Sequence, residues 1–219
     1  MQATYRKKLH HINLPGHSHE LTFSCYRRLP LLTRERPCRW MIDAIDAARE
    51  KHNYHLFAFV IMPEHVHMIV QPQETKHDIA WFLKSIKQSV SRKAHNWLVK
   101  HDQHWLQKLT TPTKNEFRFW QAGGGYDRNI EKHSTLMKMS EYIHLNPVRK
   151  NLVNTAPDWK WSSASWYEGK TCVLSMNTIS WGARANFVLP VAPMKTLFIY
   201  QGHPPAPQEQ IAGAVKLPW

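Results

Sequence analysis

The feature that most constrains the fold is a pair of apolar segments separated by only two residues. Residues 55–62 (HLFAFVIM) and 65–72 (HVHMIVQP) flank the dipeptide Pro63-Glu64. Each segment has the length and the β-branched and aromatic content of a strand, and strands joined by two residues are antiparallel neighbours. Pro-Glu is not a favoured turn pair, but the spacing still predicts a tight β-hairpin.

The sequence before and after this hairpin predicts a strand and two helices. Apolar and polar residues alternate over residues 20–26 (ELTFSCY), as in a half-buried strand. Pro37 stands at a favoured first-turn position for an amphipathic helix. Asp78 is a suitable N-cap for a long helix that ends near Lys100.

The order of these elements predicts a known arrangement. Residues 117–120 (FRFW) are predicted to form a short strand that Gly123-Gly124-Gly125 interrupts, and a further helix starts at Ser134. The order β-α-β-β-α-β followed by a helix is the split βαβ, ferredoxin-like arrangement. We therefore expect an α+β fold, an RRM-like antiparallel sheet with helices on one face.

A change of composition divides the chain into two predicted parts. Trp and Pro become frequent from about residue 155, so we expect a main domain with a basic N-terminal arm over residues 1–155 and a Trp- and Pro-rich C-terminal extension over 156–219. The tail from Pro190 onward is predicted to be irregular.

Charge and cysteine content narrow the class of protein. The formal net charge of +13 indicates a polyanionic partner, with nucleic acid as the first candidate. The longest apolar run, residues 56–62, is far too short to span a bilayer, so no membrane association is expected. Three cysteines without a CxxC pair form neither a disulfide framework nor a cysteine zinc site, which favours the reducing cytoplasm.

Two histidines on the second strand of the hairpin are a candidate metal site. His65 and His67 are two residues apart, so on a strand both imidazoles point to one face and can meet one ion. Val66 and Met68 then point to the opposite face, toward the core. Two histidines at this spacing often occur by chance, so the assignment of a metal site needs a further ligand and a residue that takes part in the reaction.

A later segment, SEYIHLNPVRKNLV, contains candidates for both. Tyr142 and Asn146 are four residues apart and lie on one face of a continuous helix, where a hydroxyl is a possible nucleophile and an amide oxygen a possible metal ligand. Each of these two residues also has a structural alternative. Tyr142 is also compatible with a core role, and Asn146 precedes Pro147 and is also a possible cap of a helical turn that begins there.

Three sequence segments, in the order in which they occur, resemble those of a known protein family. PEHVHMIV, FWQAGGGYDRNI and YIHLNPVRKNLV resemble the single-tyrosine HUH transposases of small bacterial insertion sequences, and more narrowly the REP-associated tyrosine transposases. WKWSSASWY is similar to the Trp-Ser-Ser stretch of that branch. The resemblance covers roughly residues 16–167.

This resemblance implies a function and a set of site residues. A DNA transposase, a strand-transferring endonuclease, would cleave and rejoin single-stranded DNA beside hairpins, which in this branch are repetitive extragenic palindromes. Tyr142 would be the nucleophile and would become linked to the 5′ phosphate. His65 and His67 would hold Mg²⁺ or Mn²⁺, with Asn146 where insertion-sequence relatives usually have glutamine. Whether the protein acts as a monomer or a homodimer stays open.

Basic and aromatic residues are candidates for contacts with the DNA. Those expected to contact the phosphate backbone are Arg6, Lys7, Lys8, Arg27, Arg28, Lys84 and Lys87. Lys84 and Lys87 belong to the polar face of the long helix, which is equally typical of a solvated surface. Tyr126 and Trp120 are candidates for stacking on unpaired bases, with burial in the core as the alternative.

Two other functions are compatible with parts of this pattern. One is a domesticated hairpin-binding protein without useful cleavage, against which the intact His65, His67 and Tyr142 argue. The other is a histidine phosphodiesterase. Such enzymes usually need a further histidine at two-residue spacing or a second HxT/S motif, and position 69 is isoleucine.

Overall fold

The predicted hairpin forms the best-defined part of the sheet. In the computed structural model, which describes residues 12–179 and 217–219, strands β2 (Tyr54–Ile61) and β3 (His65–Pro72) pair antiparallel. The Met62 amide donates to the His65 carbonyl at 2.8 Å, which closes the hairpin across Pro63-Glu64.

Two further strands complete a four-stranded antiparallel sheet. They are β1 (Ser18–Ser24) and β4 (Tyr126–Ile130), and the spatial order is β2-β3-β1-β4. This is the strand order of the ferredoxin-like fold, so the predicted α+β class is confirmed. The helices are α1 (Glu35–His52), α2 (Ile79–His101), α3 (Gln103–Lys108), α4 (His133–His144), α5 (Asn146–Arg149) and α6 (Ala164–Tyr167), with 3₁₀ turns at Tyr26–Arg28 and Ala156–Asp158.

Strand register assigns each side chain to a face, because directly paired residues of an antiparallel sheet point the same way. Met68 pairs with Phe59 and Leu21, and all three are buried. Tyr54 pairs with Pro72 on this same face and stacks on Phe82 of α2, with ring centroids 4.4 Å apart. Helices α1 and α2 pack against each other and cover this face, as predicted.

The α2 helix begins where the sequence predicts. The Asp78 carboxylate accepts hydrogen bonds from the amides of Ala80 and Trp81 and so caps the first turn. Helix α4 follows β4 and lies on the opposite face of the sheet, beside His67, so the helices lie on both faces and not on one as expected. The two faces therefore differ in kind: one holds the main core, and the other holds the predicted site.

The fourth strand is not where the sequence predicts it. Residues 117–120 form only isolated bridges, Thr110–Phe117 and Cys25–Trp120, and the strand lies after the glycines at Tyr126–Ile130. Phe119 and Trp120 are buried without being part of the sheet. Gly125 has a positive φ of 83°, and a Cβ there would lie 2.3 Å from the Thr22 carbonyl oxygen, so only glycine lets β4 approach β1 this closely.

The first part of the predicted extension packs against the outer edge of β2. The Ser163 amide donates to the Phe59 carbonyl at 3.0 Å, and the Ile61 amide donates to the Trp161 carbonyl at 2.8 Å. The division at residue 155 stays a prediction. Most of the predicted irregular tail falls outside the described residues, but its last residue, Trp219, donates its indole N–H to the Leu31 carbonyl at 3.0 Å. In the part of the chain that the structure describes, no helix has the length and apolarity needed to cross a membrane.

Candidate active site

The two histidines of β3 converge as their spacing predicts. His65 and His67 are 8% and 9% exposed, and their Nε2 atoms are 3.0 Å apart. Metal–imidazole bonds are about 2.0–2.1 Å long, so two imidazole ligands of one ion must lie within about 4.2 Å of each other. The Nε2 pair meets this condition.

The other ring nitrogen of each histidine has its own partner. His67 Nδ1 is 2.7 Å from the Thr22 hydroxyl, and His65 Nδ1 is 3.0 Å from a Glu64 carboxylate oxygen. Such a partner fixes the tautomer and the orientation of a metal-binding imidazole and leaves Nε2 to the metal. Sequence reasoning missed both partners. Because Glu64 is adjacent to His65 in the chain, its contact could have been predicted from the sequence. The contact of Thr22 with His67 follows only from the register of β1 and β3.

The electrostatics of the site favour the metal-binding form of His67. Burial, with the charge of neighbouring His65, lowers the pKa of His67 to about 3. The hydrogen bond to His65 lowers the pKa of the Glu64 carboxyl, and the positive charge of Lys150 adds to this. His67 is therefore a neutral imidazole at physiological pH, as a metal ligand must be, and Glu64 is a carboxylate.

Tyr142 lies next to the histidine pair. Its side chain is 45% exposed, and its ring centroid is 6.4 Å from that of His67. The guanidinium of Arg149 lies 4.4 Å above the Tyr142 ring and also donates to the Tyr142 carbonyl at 2.9 Å. Arg149 lies in the segment YIHLNPVRKNLV, but its contact with Tyr142 depends on the turn between α4 and α5, which the spacing of the residues does not reveal.

Asn146 lies at the junction of α4 and α5, one turn beyond Tyr142. Its Nδ2 group donates to the carbonyls of Tyr142 and Ile143 at 3.1 and 3.2 Å. The alternative in which Asn146 caps a turn starting at Pro147 is wrong, because Leu145 is the cap residue and Asn146 bonds back to the end of α4.

The residues present fit a divalent metal ion. Among residues 12–179 and 217–219, no group of three His, Cys, Asp and Glu side chains is arranged to hold a metal. Two imidazoles and an amide oxygen are nonetheless a suitable partial donor set for a borderline ion such as Mn²⁺, with room for oxygen ligands from a substrate. The assignment of Asn146 as third ligand stays a prediction.

The basic candidates differ in exposure. Arg27 and Arg28 are exposed and have positive φ angles of 52° and 53°, an unusual conformation for two successive non-glycine residues. Lys84 is also exposed and lies 4.1 Å above the ring of exposed Trp81. Lys87 instead donates to the Gly123 carbonyl at 3.1 Å. Arg6, Lys7 and Lys8 lie outside the described residues.

The two aromatic candidates are in different environments. Trp120 is mostly buried, packs against Phe23, and donates its indole N–H to the Lys87 carbonyl. Tyr126 is 47% exposed and pairs with Thr22, which pairs in turn with His67. Adjacent strands are about 4.8 Å apart, so the Tyr126 backbone lies about 10 Å from that of His67, on the same face. Of the two, only Tyr126 is accessible to a base.

Residues 16–146 match the family model described as "Transposase IS200 like". This match covers more than half of the chain, which therefore belongs to the IS200-like transposase family and is a DNA transposase. The more specific resemblance is also confirmed. The chain is 23% identical over 140 residues to a putative REP-associated tyrosine transposase of Haemophilus influenzae, a match that spans 61% of this chain and 76% of the relative.

One solved structure supports this assignment at the level of the fold. The chain is similar to a REP-associated tyrosine transposase bound to a REP hairpin, with a TM-score of 0.57 and 20% sequence identity, over 83% of this chain and 96% of the other. A putative transposase from Deinococcus radiodurans also matches, with a TM-score of 0.38 and 17% identity, over 65% of this chain and 94% of the other.

Proposed function

We propose that this transposase is a metal-dependent endonuclease that cleaves and rejoins single-stranded DNA next to hairpins through a 5′-phosphotyrosine intermediate. The observation that carries the proposal is the juxtaposition of an exposed tyrosine with two converging imidazoles, the Tyr142 and His67 rings being 6.4 Å apart. A nucleophile and a candidate metal pair thus share one surface of the sheet.

The covalent step uses the Tyr142 hydroxyl. Its oxygen attacks the phosphorus of a phosphodiester, a tyrosyl O–P bond forms, and the bond from phosphorus to the upstream 3′ oxygen breaks. The phenol loses its proton, and the departing 3′ oxygen gains one. Attack by a 3′ hydroxyl on the phosphotyrosine reverses these events and rejoins DNA without nucleotide hydrolysis, because the ester energy is conserved in the intermediate.

His65, His67 and Asn146 are the residues proposed to hold the metal ion, Mg²⁺ or Mn²⁺. When bound, such an ion would stabilise the negative charge that develops on the phosphoryl oxygens. The protein supplies orientation: Thr22 and Glu64 hold the two imidazoles, and Arg149 holds the Tyr142 ring from above. Arg149 also places positive charge next to the nucleophile, where a phosphate must approach, and Lys150 places positive charge near Glu64.

We infer that hairpin DNA is the substrate because a relative of the same fold is described as bound to a REP hairpin. The exposed Arg27, Arg28 and Lys84 are proposed to contact the phosphate backbone, together with Arg6, Lys7, Lys8 and Lys87. Exposed Tyr126, on the same face as the histidines, is proposed to stack on an unpaired base. We expect the protein to act on this DNA in the cytoplasm.

The decisive experiment is a search for the covalent adduct. The full chain is incubated with single-stranded hairpin DNA and Mn²⁺ and resolved on a denaturing gel, where a protein–DNA adduct is expected. Tyr142→Phe removes one oxygen and should abolish the adduct while hairpin binding stays nearly unchanged. Tyr126→Phe is the matched control, since it removes the same atom from an equally exposed tyrosine on the same face. Full nicking by Tyr142→Phe would disprove the assignment, and hairpin binding without any adduct would favour a binding protein.

Substrate form is tested separately, because a protein of charge +13 binds almost any DNA at low salt. A single strand reaches in-line geometry at the tyrosine more readily than a duplex does. At about 0.15 M salt, where non-specific attraction is screened, cleavage should therefore require single-stranded DNA beside a hairpin. Equal cleavage of a fully paired duplex would indicate a generic metal nuclease.

A further inference from the structure

The segment Trp161–Tyr167 contacts both the sheet and the helix that carries Tyr142. This segment, which we call the clamp, lies beyond residue 146, where the match to the family model ends. It includes the Trp-Ser-Ser stretch and the short helix α6. Ser162 and Ser163 at its centre are completely buried, although serine is a residue type found mostly at surfaces.

On one side the clamp is bonded to β2. Ser163 exchanges main-chain and side-chain hydrogen bonds with Phe59: its amide donates to the Phe59 carbonyl at 3.0 Å, and its Oγ accepts from the Phe59 amide at 2.9 Å. The Tyr167 hydroxyl donates to the Phe57 carbonyl at 2.7 Å. The clamp is therefore fixed to the sheet at successive positions of one strand.

On the other side the clamp contacts the buried face of α4. The Ser163 Oγ is 2.8 Å from Nε2 of His144, and the His144 ring packs edge-on against that of Tyr167 at 4.9 Å. Burial lowers the pKa of His144 to about 3, so this histidine is neutral. One oxygen atom, Ser163 Oγ, thus bonds the strand and the helix together.

The geometry of α4 connects this contact to the tyrosine. Successive residues of a helix are rotated by about 100°, so residues two positions apart point in nearly opposite directions. His144 therefore faces inward while Tyr142 faces outward. Leu136 and Ile143, which are also buried on α4, contribute apolar packing without direction, and the buried Ser140 hydroxyl donates to the Leu136 carbonyl within the helix. The polar contact is directional, because a rotation of α4 would leave the buried His144 nitrogen without its hydrogen bond.

We propose that the clamp sets the orientation of α4 and thereby presents Tyr142 to the histidine pair. Ser163 and Tyr167 are positioning residues in this proposal: they act through His144 and the sheet and touch no reacting atom. The consequence for cleavage rests on the proposed function of Tyr142, whereas the consequence for the helix does not.

Ser163→Ala in the full chain is the test, with Ser162→Ala as its control. Ser162 is equally buried and loses the same atom, but its hydroxyl contacts the Ala164 amide within the clamp. Ser163→Ala should lower the single-turnover rate of adduct formation at least about tenfold, as misplacement of a nucleophile by a fraction of an ångström does. Hairpin affinity should change less than about twofold, since the backbone contacts are elsewhere.

A second variant and a second measurement keep the test independent of folding and of activity. Tyr167→Phe removes only the hydroxyl that donates to the Phe57 carbonyl and, like Ser163→Ala, should lower the single-turnover rate of adduct formation. Hydrogen exchange of the α4 amides should be faster in Ser163→Ala and Tyr167→Phe, but not in Ser162→Ala, while exchange in β3 stays unchanged. Wild-type exchange and wild-type rates in Ser163→Ala and Tyr167→Phe would overturn the proposal, as would an equal loss in Ser162→Ala. If the wild-type chain forms no adduct, the proposed function fails, and the exchange of α4 still decides the clamp.

Discussion

The two halves of the candidate site are built differently. His65 and His67 belong to β3, which has a paired strand on each side, and their rings are fixed by partners on β1 and in the hairpin loop. Tyr142 belongs to α4, a helix of 12 residues, and its ring is exposed on one side and covered by Arg149 on the other.

Because of this difference, the two halves can be perturbed separately. The orientation of the histidines follows from backbone pairing and short-range partners, so damage there should appear as weaker metal binding. The orientation of the tyrosine follows from contacts with residues outside its helix, so damage there should appear as a slower reaction at saturating metal. Substitutions in each half test whether this separation holds.

Loss of a histidine should have the largest effect. His65→Ala and His67→Ala should each abolish metal-dependent cleavage, since one of only three proposed protein ligands is removed. The measurement is adduct formation across a Mn²⁺ titration, with His55→Ala, a histidine of β2 outside the site, as control. Cleavage that persists in EDTA would show that the histidine pair is structural.

Loss of a histidine partner should have a smaller effect confined to metal affinity. Thr22→Val removes the hydroxyl 2.7 Å from His67 Nδ1 and keeps the shape of the side chain. Such partners typically contribute about 10–100-fold to metal affinity, so the Mn²⁺ dissociation constant should rise by that factor while the rate at saturating Mn²⁺ is largely retained. Thr33→Val, which removes a hydroxyl bonded to the Pro30 carbonyl, is the control. An unchanged affinity in Thr22→Val would mean that His67 needs no orienting partner.

Arg149→Met should show the opposite pattern. It removes the cation above the Tyr142 ring and the hydrogen bond to the Tyr142 carbonyl, which together are worth about 1–2 kcal/mol, or roughly tenfold in rate. Single-turnover kinetics at saturating Mn²⁺ should therefore slow by about this factor with little change in metal affinity. Arg39→Met, at an exposed arginine of α1 paired with Glu35, is the matched control. A change in metal affinity alone would contradict the separation of the two halves.

The smallest effect concerns stability rather than rate. Burial lowers the pKa of His144 to about 3, below the ordinary histidine value of about 6.5. The unfolded state therefore binds the proton more readily, so this histidine costs stability as pH falls below about 6.5 toward 3, and nothing above that range. Between pH 7 and pH 6 the loss should be about 0.7 kcal/mol, and His144→Gln should remove it. Urea unfolding at both pH values measures the difference, and equal pH dependence in both proteins would show that His144 is not buried in its neutral form.

The parts of the fold that the sequence predicted are those governed by local rules. The hairpin follows from two apolar runs two residues apart, the start of α2 from the Asp78 cap, and the shared face of His65 and His67 from the two-residue period of a strand. In each case the pattern and its structural cause lie within a few residues of each other.

The parts that were missed depend on contacts between distant residues. Residues 126–130 (YDRNI) have little apolar character, and their place in the sheet depends on pairing with β1 and on the absence of a side chain at Gly125. The apolar residues 117–120 attract a strand prediction, yet Phe119 and Trp120 fill the core from an irregular segment. The Thr22–His67 and Ser163–His144 contacts likewise join residues that are 45 and 19 positions apart.

The covering of β2 also bears on self-association. An uncovered strand at the edge of a sheet offers unpaired amides and carbonyls to any other strand, including that of a second copy. The main-chain groups of Leu56, Phe59 and Ile61 are already bonded to residues 159–177. The opposite edge, β4, has only five residues, among them Asp127, Arg128 and Asn129. Neither edge therefore favours the growth of a sheet from one molecule into the next.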